Sequence, residues 1–472
     1  MLPLALVSHF VFVLAGLLVY AVGTHTGGQR RHPSAALAWV LTIALLPYVG
    51  LPLFLVLGTR KFARPSHTLQ HTVLAQRPHD DGLQACAIAT LAGMGLAPPA
   101  ASRQVHFHAD GQAAWEGLAT LISSAQAQLD ICTFVLGNDT LGRRVAGLLA
   151  ERAAAGVRVR LLLDAVGSWR TSMAQVRHLR AAGVQVHWFM PLLHNPLRGR
   201  VNLRNHRKLA IADQQRLWSG GRNLAAEYFS GEHHQPPWLD LSFTLEGALA
   251  EQAQDLFNSH WHDSRGPTGD GDQPGTETQA VPEQTEAAAS NEPPQHLAQL
   301  VPSGPDQAED TFYELLLTTL FRAERRVLAV TPYFVPDDSL LKALCLAARR
   351  GVQVELIVPA RSNHRLADIA RARALRDLVT AGGQVRLAPG MVHAKAVVVD
   401  DALALCGSLN LDARSLFLNF ELMVAFYASE DVSTVTQWID GHFHALPLYQ
   451  PAQPSLLRDT AEGLVRWLGF QI

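Results

Sequence analysis

The chain has 472 residues, which is enough for two hydrophobic cores of ordinary size and several accessory segments. Its formal charge of -2 at pH 7 gives no general attraction to nucleic acid, so we expect no nucleic-acid partner. The four cysteines are scattered, with no Cys-x2-Cys pair, and indicate neither a disulfide framework nor a zinc site.

Two apolar stretches open the chain. Residues 2–23 and 33–58 contain no Asp, Glu, Lys or Arg, and each is long enough to cross a hydrocarbon core of about 30 Å. A signal peptide is the alternative for the first stretch, but this stretch lacks a basic amino-terminal region and a second span follows it. Pro47 and Pro52 also allow a kinked or re-entrant second helix. We predict two membrane helices, and the flanking basic residues favour a cytoplasmic catalytic body.

Two stretches of the soluble part show the same order of elements. In residues 129–163 and again in residues 327–358, an apolar run is followed by a helical pattern and then, after a glycine, by an alternating strand. Strand, helix and strand in this order form a right-handed crossover whose helix packs on the sheet. The sequence therefore predicts two α/β/α halves.

Composition separates these halves from the rest of the chain. Residues 264–296 contain no aromatic residue and many Pro, Gly, Thr, Gln and Glu, so they cannot form a core and are predicted to be a disordered linker. The last segment is amphipathic and either lies on the membrane or packs on the body. The predicted parts are an anchor (1–62), a connector (63–99), the first half (100–263), the linker (264–296), the second half (297–449) and the tail (450–472).

The same polar pattern occurs once in each half. It reads His-x-Lys-x4-Asp-x6-Gly-x2-Asn and lies on a short apolar strand, so that its His and Lys point to the same face. The two copies comprise His206, Lys208, Asp213 and Asn223, and His393, Lys395, Asp400 and Asn410. Only four of the 39 basic residues are lysines, and two of these lie in the pattern. This economy indicates that a compact ammonium group is needed at both positions.

These residue types suit chemistry at a phosphodiester, whose negative charge repels nucleophiles. One imidazole can attack phosphorus while the other donates and accepts the proton, and the lysines and asparagines can hold the nonbridging oxygens. Such a set requires no metal or cofactor, and we expect none. Asp213 and Asp400 complete the catalytic pattern, but their place at the strand ends favours a role in fixing the local backbone.

Six further segments surround the two motifs: RNHRK (204–208), GGRN (220–223), WLD (238–240), TPYFVPD (331–337), NLDARS (410–415) and NFE (419–421). Together with the double motif, which is typical of the phospholipase D superfamily, they resemble bacterial cardiolipin synthases. The resemblance covers nearly the whole chain. It implies two phospholipase D-like halves in a pseudo-twofold arrangement, with the active site between them.

The resemblance also implies roles for individual residues. A phosphohistidine intermediate is expected on His206, with His393 as the acid and base. Asp240 is expected to orient the ring of His206, and Glu421 is expected to orient the ring of His393.

A bacterial inner-membrane enzyme is the function that this resemblance implies. It would transfer the phosphatidyl group of one phosphatidylglycerol to a hydroxyl group of a second and release glycerol, so its partners would be phospholipid and membrane. A phospholipase D that uses water, or a transphosphatidylase that uses another alcohol, is the alternative among enzymes. A membrane scaffold or a nucleic-acid-binding module with a vestigial site is the alternative outside them. The intact double motif disfavours the scaffold, and the two apolar spans disfavour nucleic-acid binding.

Arginines also cluster around the first motif. Each of them is predicted either to bind lipid phosphate or to be ordinary surface charge, with neither favoured. They are Arg198, Arg200, Arg204, Arg207 and Arg222.

Overall fold

The computed structural model contains one large mixed sheet with helices packed on it. It describes residues 2–26, 33–58, 82–191, 202–231, 235–264 and 296–455, together with Glu462 and Val465. The interior of the predicted linker, the connector up to residue 81, Arg198, Arg200 and most of the predicted tail lie outside the described residues.

Three apolar helices form the amino-terminal part: α1 (Leu2–Thr26), α2 (Pro33–Leu45) and α3 (Pro47–Leu57). Within the described residues, α1 contains the one segment that is long and apolar enough to cross a membrane, Val7–His25. The second predicted span is interrupted at Leu46, because Pro47 begins a new helix there. The predicted kink is therefore present, and a second continuous membrane helix is not confirmed.

The first half follows helix α4 (Leu83–Gly93). Its strands are β1 (Ala100–His108), β2 (Gln128–Thr133), β3 (Arg158–Asp164), β4 (Gln185–Phe189), β5 (Leu209–Ala212), β6 (Arg216–Gly220) and β7 (Ser242–Gly247). Its helices are α5 (Gly111–Ser124), α6 (Thr140–Ala154), α7 (Met173–Ala181) and α8 (Ala248–Ser264), with a 3-10 turn at Ala226–Tyr228.

The second half begins with β8 (His296–Ser303). Its other strands are β9 (Arg326–Val330), β10 (Phe334–Val335), β11 (Gln353–Pro359), β12 (Gln384–Ala388), β13 (Ala396–Val399), β14 (Leu403–Gly407), β15 (Leu411–Asp412) and β16 (Glu421–Phe426). Its helices are α9 (Thr311–Arg322), α10 (Asp338–Arg349), α11 (Arg365–Thr380), α12 (Ala413–Phe417) and α13 (Ser429–Phe443).

Both halves arrange their strands in the same order. Fourteen strands form one sheet, β12-β11-β9-β13-β14-β16-β8-β1-β7-β6-β5-β2-β3-β4, and β10 pairs with β15 apart from it. Read from either edge to the centre, equivalent strands occupy equivalent places. The equivalent strands β1 and β8 pair antiparallel at the centre, where Ala100 is opposite Ala298. This arrangement confirms the prediction of two α/β halves and places a local twofold axis between them.

The two motif strands divide their side chains between two cores. In β5, Leu209 and Ile211 face a core that contains residues of both halves, whereas Ala210 and Ala212 face the outer core of the first half. Strand β13 alternates in the same way, and helices α8 and α13 pack in the shared core. Seven strand-to-strand steps separate β5 from β13. At about 20–25° for each step, the twist of the sheet rotates one motif strand relative to the other by roughly half a circle. Backbone bridges from residue 205 to residue 420 and from residue 239 to residue 392 bring the two motif regions together.

The aspartates that close the two motifs hold neighbouring backbone. Asp213 has a φ angle of +52°, and its carboxylate accepts backbone N–H groups of residues 126–128 at 2.8–2.9 Å. Asp400 has the same φ angle, and its carboxylate accepts the N–H groups of residues 324–326 at 2.8–3.1 Å. These contacts fix the turn that precedes β2 or β9. They support the backbone role for Asp213 and Asp400 and not a catalytic one.

Removal of either carboxylate should reduce stability and not chemistry. Asp400→Ala leaves three backbone donors without their charged acceptor, so we expect the free energy of unfolding to fall by roughly 2–4 kcal/mol. Chemical denaturation measures this change, and activity per folded molecule should stay within about twofold of the unmodified protein. A folded variant of normal stability that has lost turnover would return Asp400 to the catalytic set.

Candidate active site

Each motif enters the site on a short bridge to the other half. The backbone N–H of His206 donates to the carbonyl of Phe420 at 2.9 Å, and the N–H of Phe420 donates back to Arg204. The N–H of His393 donates to the carbonyl of Leu239 at 2.7 Å. These bridges pair a segment that carries a histidine with a segment that carries a carboxylate, and the two segments always come from different halves.

The carboxylates therefore orient the opposite histidines from those expected. Asp240 Oδ2 lies 2.7 Å from Nδ1 of His393, and Glu421 Oε1 lies 3.3 Å from Nδ1 of His206. The predicted pairing of Asp240 with His206 and of Glu421 with His393 was wrong. The reason is the pair of bridges, because residue 239 lies against the second motif and residue 420 lies against the first.

Both carboxylates are fully buried, yet their surroundings keep them ionised. Burial acts to raise each pKa, but His393 and Lys395 lower the pKa of Asp240 overall. The pKa of Glu421 is lowered overall in the same way, chiefly by His206. Ser408 donates its hydroxyl hydrogen to Glu421 at 2.6 Å. Each histidine therefore has a charged acceptor for the proton on its Nδ1.

The two lysines lie close to the histidines of their own motifs. Lys208 Nζ donates to the carbonyl oxygen of His206 at 2.6 Å. Lys395 Nζ lies 2.8 and 2.9 Å from the two ring nitrogens of His393. Burial lowers the pKa of both lysines, and that of Lys395 falls to about 7 although Asp240 opposes the change. An arriving anion favours the ammonium form, so these groups suit binding of a phosphate.

Both imidazoles are neutral before a substrate binds. Burial lowers the pKa of His206, although Glu421 opposes the change. Burial and the charge of Lys395 lower the pKa of His393 to about 3. A neutral imidazole can act as a nucleophile at once, whereas a proton donor has to gain a proton first. The negative charge of a bound phosphodiester favours that gain.

The asparagines of the pattern are buried in the same region. The Oδ1 atoms of Asn223 and Asn410 have no hydrogen-bond partner among the described residues, while Asn410 Nδ2 donates to Ser415 Oγ at 3.2 Å. An unsatisfied buried polar atom costs about 1–3 kcal/mol. A bound polar ligand that donates a hydrogen bond to either Oδ1 atom, or reorients the amide so that it finds a donor, would remove that cost.

Three aromatic residues to which the sequence assigned no role also build the site. The ring centroid of Phe134 lies 4.0 Å from that of His206. The ring centroids of Tyr228 and Trp238 lie 4.9 and 5.7 Å from that of His393. Trp238 occurs in one of the segments that carry the resemblance, so its place was visible without its role. Phe134 and Tyr228 come close only through the fold.

Two arginines near the first motif stabilise the structure and do not face solvent. Arg207 is fully buried; its guanidinium binds Asp306 at 3.0 Å and the backbone carbonyl of Glu421 at 2.9 Å. Arg222 is also fully buried and donates to the backbone carbonyl of Tyr228. Neither lipid phosphate nor surface charge, the two interpretations from sequence, describes these contacts.

A cavity of about 400 Å³ opens beside His206. The larger part of its wall is apolar, and His206 is among its polar lining residues. Its lining comprises Phe134, Val166, Asn202, Arg204, His206, Tyr333, Val335, His364, Leu366, Ala367, Ala370, Asn410, Asp412, Arg414, Ser415 and Asn419. Such a wall fits a molecule with an anionic head and an apolar body. Within the described residues, no group of three His, Cys, Asp or Glu side chains could hold a metal ion.

Comparison with known proteins identifies relatives over most of the chain. The family model described as cardiolipin synthase, PLD-like domain, matches residues 118–261 and 316–445, and a phospholipase D-nuclease N-terminal model matches residues 12–58. Cardiolipin synthase A of Pseudomonas putida (strain W619) is 32% identical over 432 residues, which cover 88% of this chain and 87% of the relative. Cardiolipin synthase A of Pseudomonas aeruginosa (strain LESB58) is 33% identical over 441 residues, with coverage of 88% and 86%.

A solved structure shares the fold. Phosphatidylserine synthase from Haemophilus influenzae Rd KW20 superimposes with a TM-score of 0.61 at 16% identity. The match covers 80% of this chain and 98% of that one. At this identity the likeness supports the two-half architecture alone.

Proposed function

The chain belongs to the cardiolipin synthase family of phospholipase D-like enzymes, and we propose that it joins two phosphatidylglycerol molecules into cardiolipin with release of glycerol. One observation carries this proposal. Two histidine–lysine pairs converge from the two halves, each histidine has a buried carboxylate at Nδ1, and a largely apolar cavity opens beside one of them. This is a phosphoryl-transfer site next to a space that suits a lipid.

His206 is the proposed nucleophile. Its side chain is 21% exposed and lines the cavity, whereas that of His393 is 9% exposed. Because Glu421 accepts the proton on Nδ1, Nε2 carries the free electron pair. Attack by Nε2 on phosphorus forms a P–N bond and breaks the bond to the glycerol oxygen, which leaves with a proton from His393.

The second step reverses the first with a new alcohol. His393 takes the proton from a hydroxyl group of the second phosphatidylglycerol, and that oxygen attacks phosphorus as the P–N bond breaks. His206 is then free, and His393 again carries the proton that it donated. Lys208, Lys395, Asn223 and Asn410 hold the nonbridging oxygens in both steps.

The two lysines should resist replacement by arginine. Lys208→Arg and Lys395→Arg are each expected to reduce the rate at least ~100-fold, because the planar guanidinium keeps the charge but does not fit a space shaped for a compact ammonium. Initial rates on phosphatidylglycerol vesicles measure the loss. Lys342→Arg, at an exposed position on α10, is the matched control and should be neutral. Near-normal rates in both motif variants would contradict this role.

Raising the pH should weaken anion binding to the substrate-free enzyme. The lowered pKa of Lys395, about 7, means that its charge is present below that pH and is lost as the pH rises through it. The inhibition constant of tungstate, a dianion over this range, is expected to rise up to about tenfold per pH unit above 7. Lys395→Arg keeps its charge over this range, so its inhibition constant should rise less steeply with pH. A flat profile for the unmodified protein would exclude Lys395 as the titrating group.

The membrane arrangement is part of the same proposal. Helix α1 crosses the bacterial inner membrane, and α2 with α3 forms a second, kinked crossing. Two crossings return the chain to the side on which it began. Three basic residues follow the second stretch and two precede it, and this excess favours a cytoplasmic body. The apolar length of α1 and the match of residues 12–58 to an amino-terminal family model support this arrangement.

The product distinguishes the proposed reaction from its alternatives. Purified protein is incubated with vesicles that contain headgroup-labelled and acyl-labelled phosphatidylglycerol, and the lipid products are resolved. Cardiolipin formed with an equal amount of glycerol supports the synthase. Phosphatidic acid as the main product would show a hydrolase, and an adduct of an added alcohol in place of cardiolipin would show a different transphosphatidylase.

A further inference from the structure

Two equivalent loops border the cavity beside His206. One follows β3 and leads into α7, and the other follows β11 and leads into α11, so they occupy matching places in the two halves. The first loop lines the cavity through Val166, and the second lines it through His364. Leu366 and Ala367, in the first turn of α11, continue the lining from the second loop. Both loops therefore form part of one entrance.

Large apolar side chains beside this entrance face solvent. Trp169 is 71% exposed and Met173 is 52% exposed in the first half, while Ile369 is 42% exposed in the second. The Arg170 guanidinium lies 4.9 Å from the Trp169 ring. Scattered exposed apolar residues are ordinary, but a group of them around one opening marks a surface that another apolar phase covers.

Positive charge accompanies these side chains. Residues 165–173 and 360–369 contain three exposed arginines, Arg170, Arg361 and Arg365, and one acidic residue, Asp368. The carboxylate of Asp368 is engaged by the N–H of Ser362 and by Arg371. In a chain with a net charge of -2, this is a local concentration of cations around the entrance.

We propose that these loops dock the entrance on the surface of an anionic phospholipid bilayer. The docking rim consists of Trp169, Arg170, Met173, Arg361, Arg365 and Ile369, and none of these side chains lines the cavity. The apolar side chains enter the interfacial layer while the arginines contact lipid phosphates, a combination that matches both the exposed surface and its charge. The inference rests on the proposed function in one respect, namely that the substrate is a lipid drawn from the same bilayer.

Docking has a physical consequence for substrate entry. A lipid that moves from the bilayer into a cavity with apolar walls keeps its acyl chains out of water if the entrance lies on the interface. Helix α1 can only tether the body to the membrane, whereas the rim sets which face of the body meets it. Loss of the rim should therefore impair capture of bilayer lipid and leave the chemistry intact.

Paired variants test this separation in the full-length protein. Trp169→Ser with Ile369→Ser removes apolar contacts, and Arg170→Gln with Arg365→Gln removes charge. The matched control is Phe321→Ser with Arg322→Gln; both side chains are exposed on α9, which ends just before the amino end of β9, opposite the end that leads to the cavity. Rates are measured on phosphatidylglycerol in proteoliposomes and on monomeric short-chain phosphatidylglycerol in detergent.

Each rim variant is expected to lose at least ~10-fold in kcat/KM on the bilayer substrate and to stay within about twofold on the short-chain substrate. The control should match the unmodified protein on both. Equal bilayer rates in all variants would overturn the proposal. Equal losses on both substrates would also overturn it, because they would show a disturbed site.

A second measurement does not depend on the product. Bimane attached at Trp169→Cys should be quenched by brominated phosphatidylglycerol in proteoliposomes, whereas bimane at Phe321→Cys should not. Cys86→Ser is introduced first, because the other three native cysteines are buried. An unquenched label at position 169 in proteoliposomes overturns docking. A label that a second copy of the chain covers in detergent also overturns it, because the rim would then be a contact between two copies of the protein. Quenching without cardiolipin formation would instead refute the proposed function and support docking.

Discussion

His206→Ala is expected to abolish turnover, with a loss of at least ~10⁴-fold, because no other group can form the covalent intermediate. His393→Ala should lose a similar factor on phosphatidylglycerol, since the glycerol alkoxide is a poor leaving group without a proton. Initial rates on vesicles measure both effects, and thermal unfolding confirms that the variants are folded. Most of the activity surviving in either folded variant would contradict the paired site.

A substrate with an activated leaving group separates the two histidines. Nitrophenolate needs no proton to depart, so His393→Ala should release one equivalent rapidly from a phosphatidyl nitrophenyl ester and then stall with labelled lipid on His206. His206→Ala should release none. A label that maps to His393 would reverse the two roles, and absence of any burst in the unmodified enzyme would indicate direct displacement by the acceptor.

Replacing Asp240 or Glu421, the carboxylate that each histidine receives from the other half, should produce the phenotype of that histidine's alanine variant with a smaller loss of rate. Asp240→Asn is expected to behave like His393→Ala and to retain the nitrophenolate burst, whereas Glu421→Gln is expected to lose the burst like His206→Ala. Each amide removes the charge that orients its imidazole, and we expect a loss of roughly 10³–10⁴-fold on phosphatidylglycerol. Bursts measured with the nitrophenyl ester decide the assignment.

Ser408→Ala is the matched control for this comparison. It removes one hydrogen bond to the Glu421 carboxylate but leaves the carboxylate's charge beside His206, so a loss of about tenfold or less is expected. A burst in Glu421→Gln together with none in Asp240→Asn would restore the pairing within each half and contradict the bridges through residues 239 and 420.

Much of the fold was predictable because it follows from local sequence patterns, and each pattern occurs once in each half. Apolar runs, helical spacing and glycines predicted the crossovers of β2, α6 and β3, and those of β9, α10 and β11. The motif strands β5 and β13 followed from four apolar residues bounded by an aspartate turn. The break at Leu46 depends on which of several prolines starts a helix, so the sequence offered it only as an alternative.

The sequence predicted which residues form the site better than it predicted which of them contact each other. The eight residues of the double motif, with Asp240 and Glu421, were visible as patterns or through resemblance. Which carboxylate meets which histidine depends on bridges between residues about 150–215 positions apart, and no local signal reports such a contact. The contact of the buried Arg207 with Asp306 was not predictable for the same reason, because these residues are 99 positions apart in the chain.

The exchange of carboxylates between halves has a consequence for how such an enzyme arises. A protein made of one half would hold its histidine without the carboxylate that the bridge supplies, so it would complete its site only by pairing with a second copy about a twofold axis. Gene duplication and fusion then free the two copies to diverge. The two halves of this chain differ at one matching position next to the carboxylates. In the second half the hydroxyl of Ser408 donates to Glu421. In the first half the matching residue is Gly221, because a Cβ atom there would lie 2.2 Å from the carboxylate of the shorter Asp240. Two imidazoles in equivalent positions can thereby specialise, one in attacking phosphorus and the other in moving the proton.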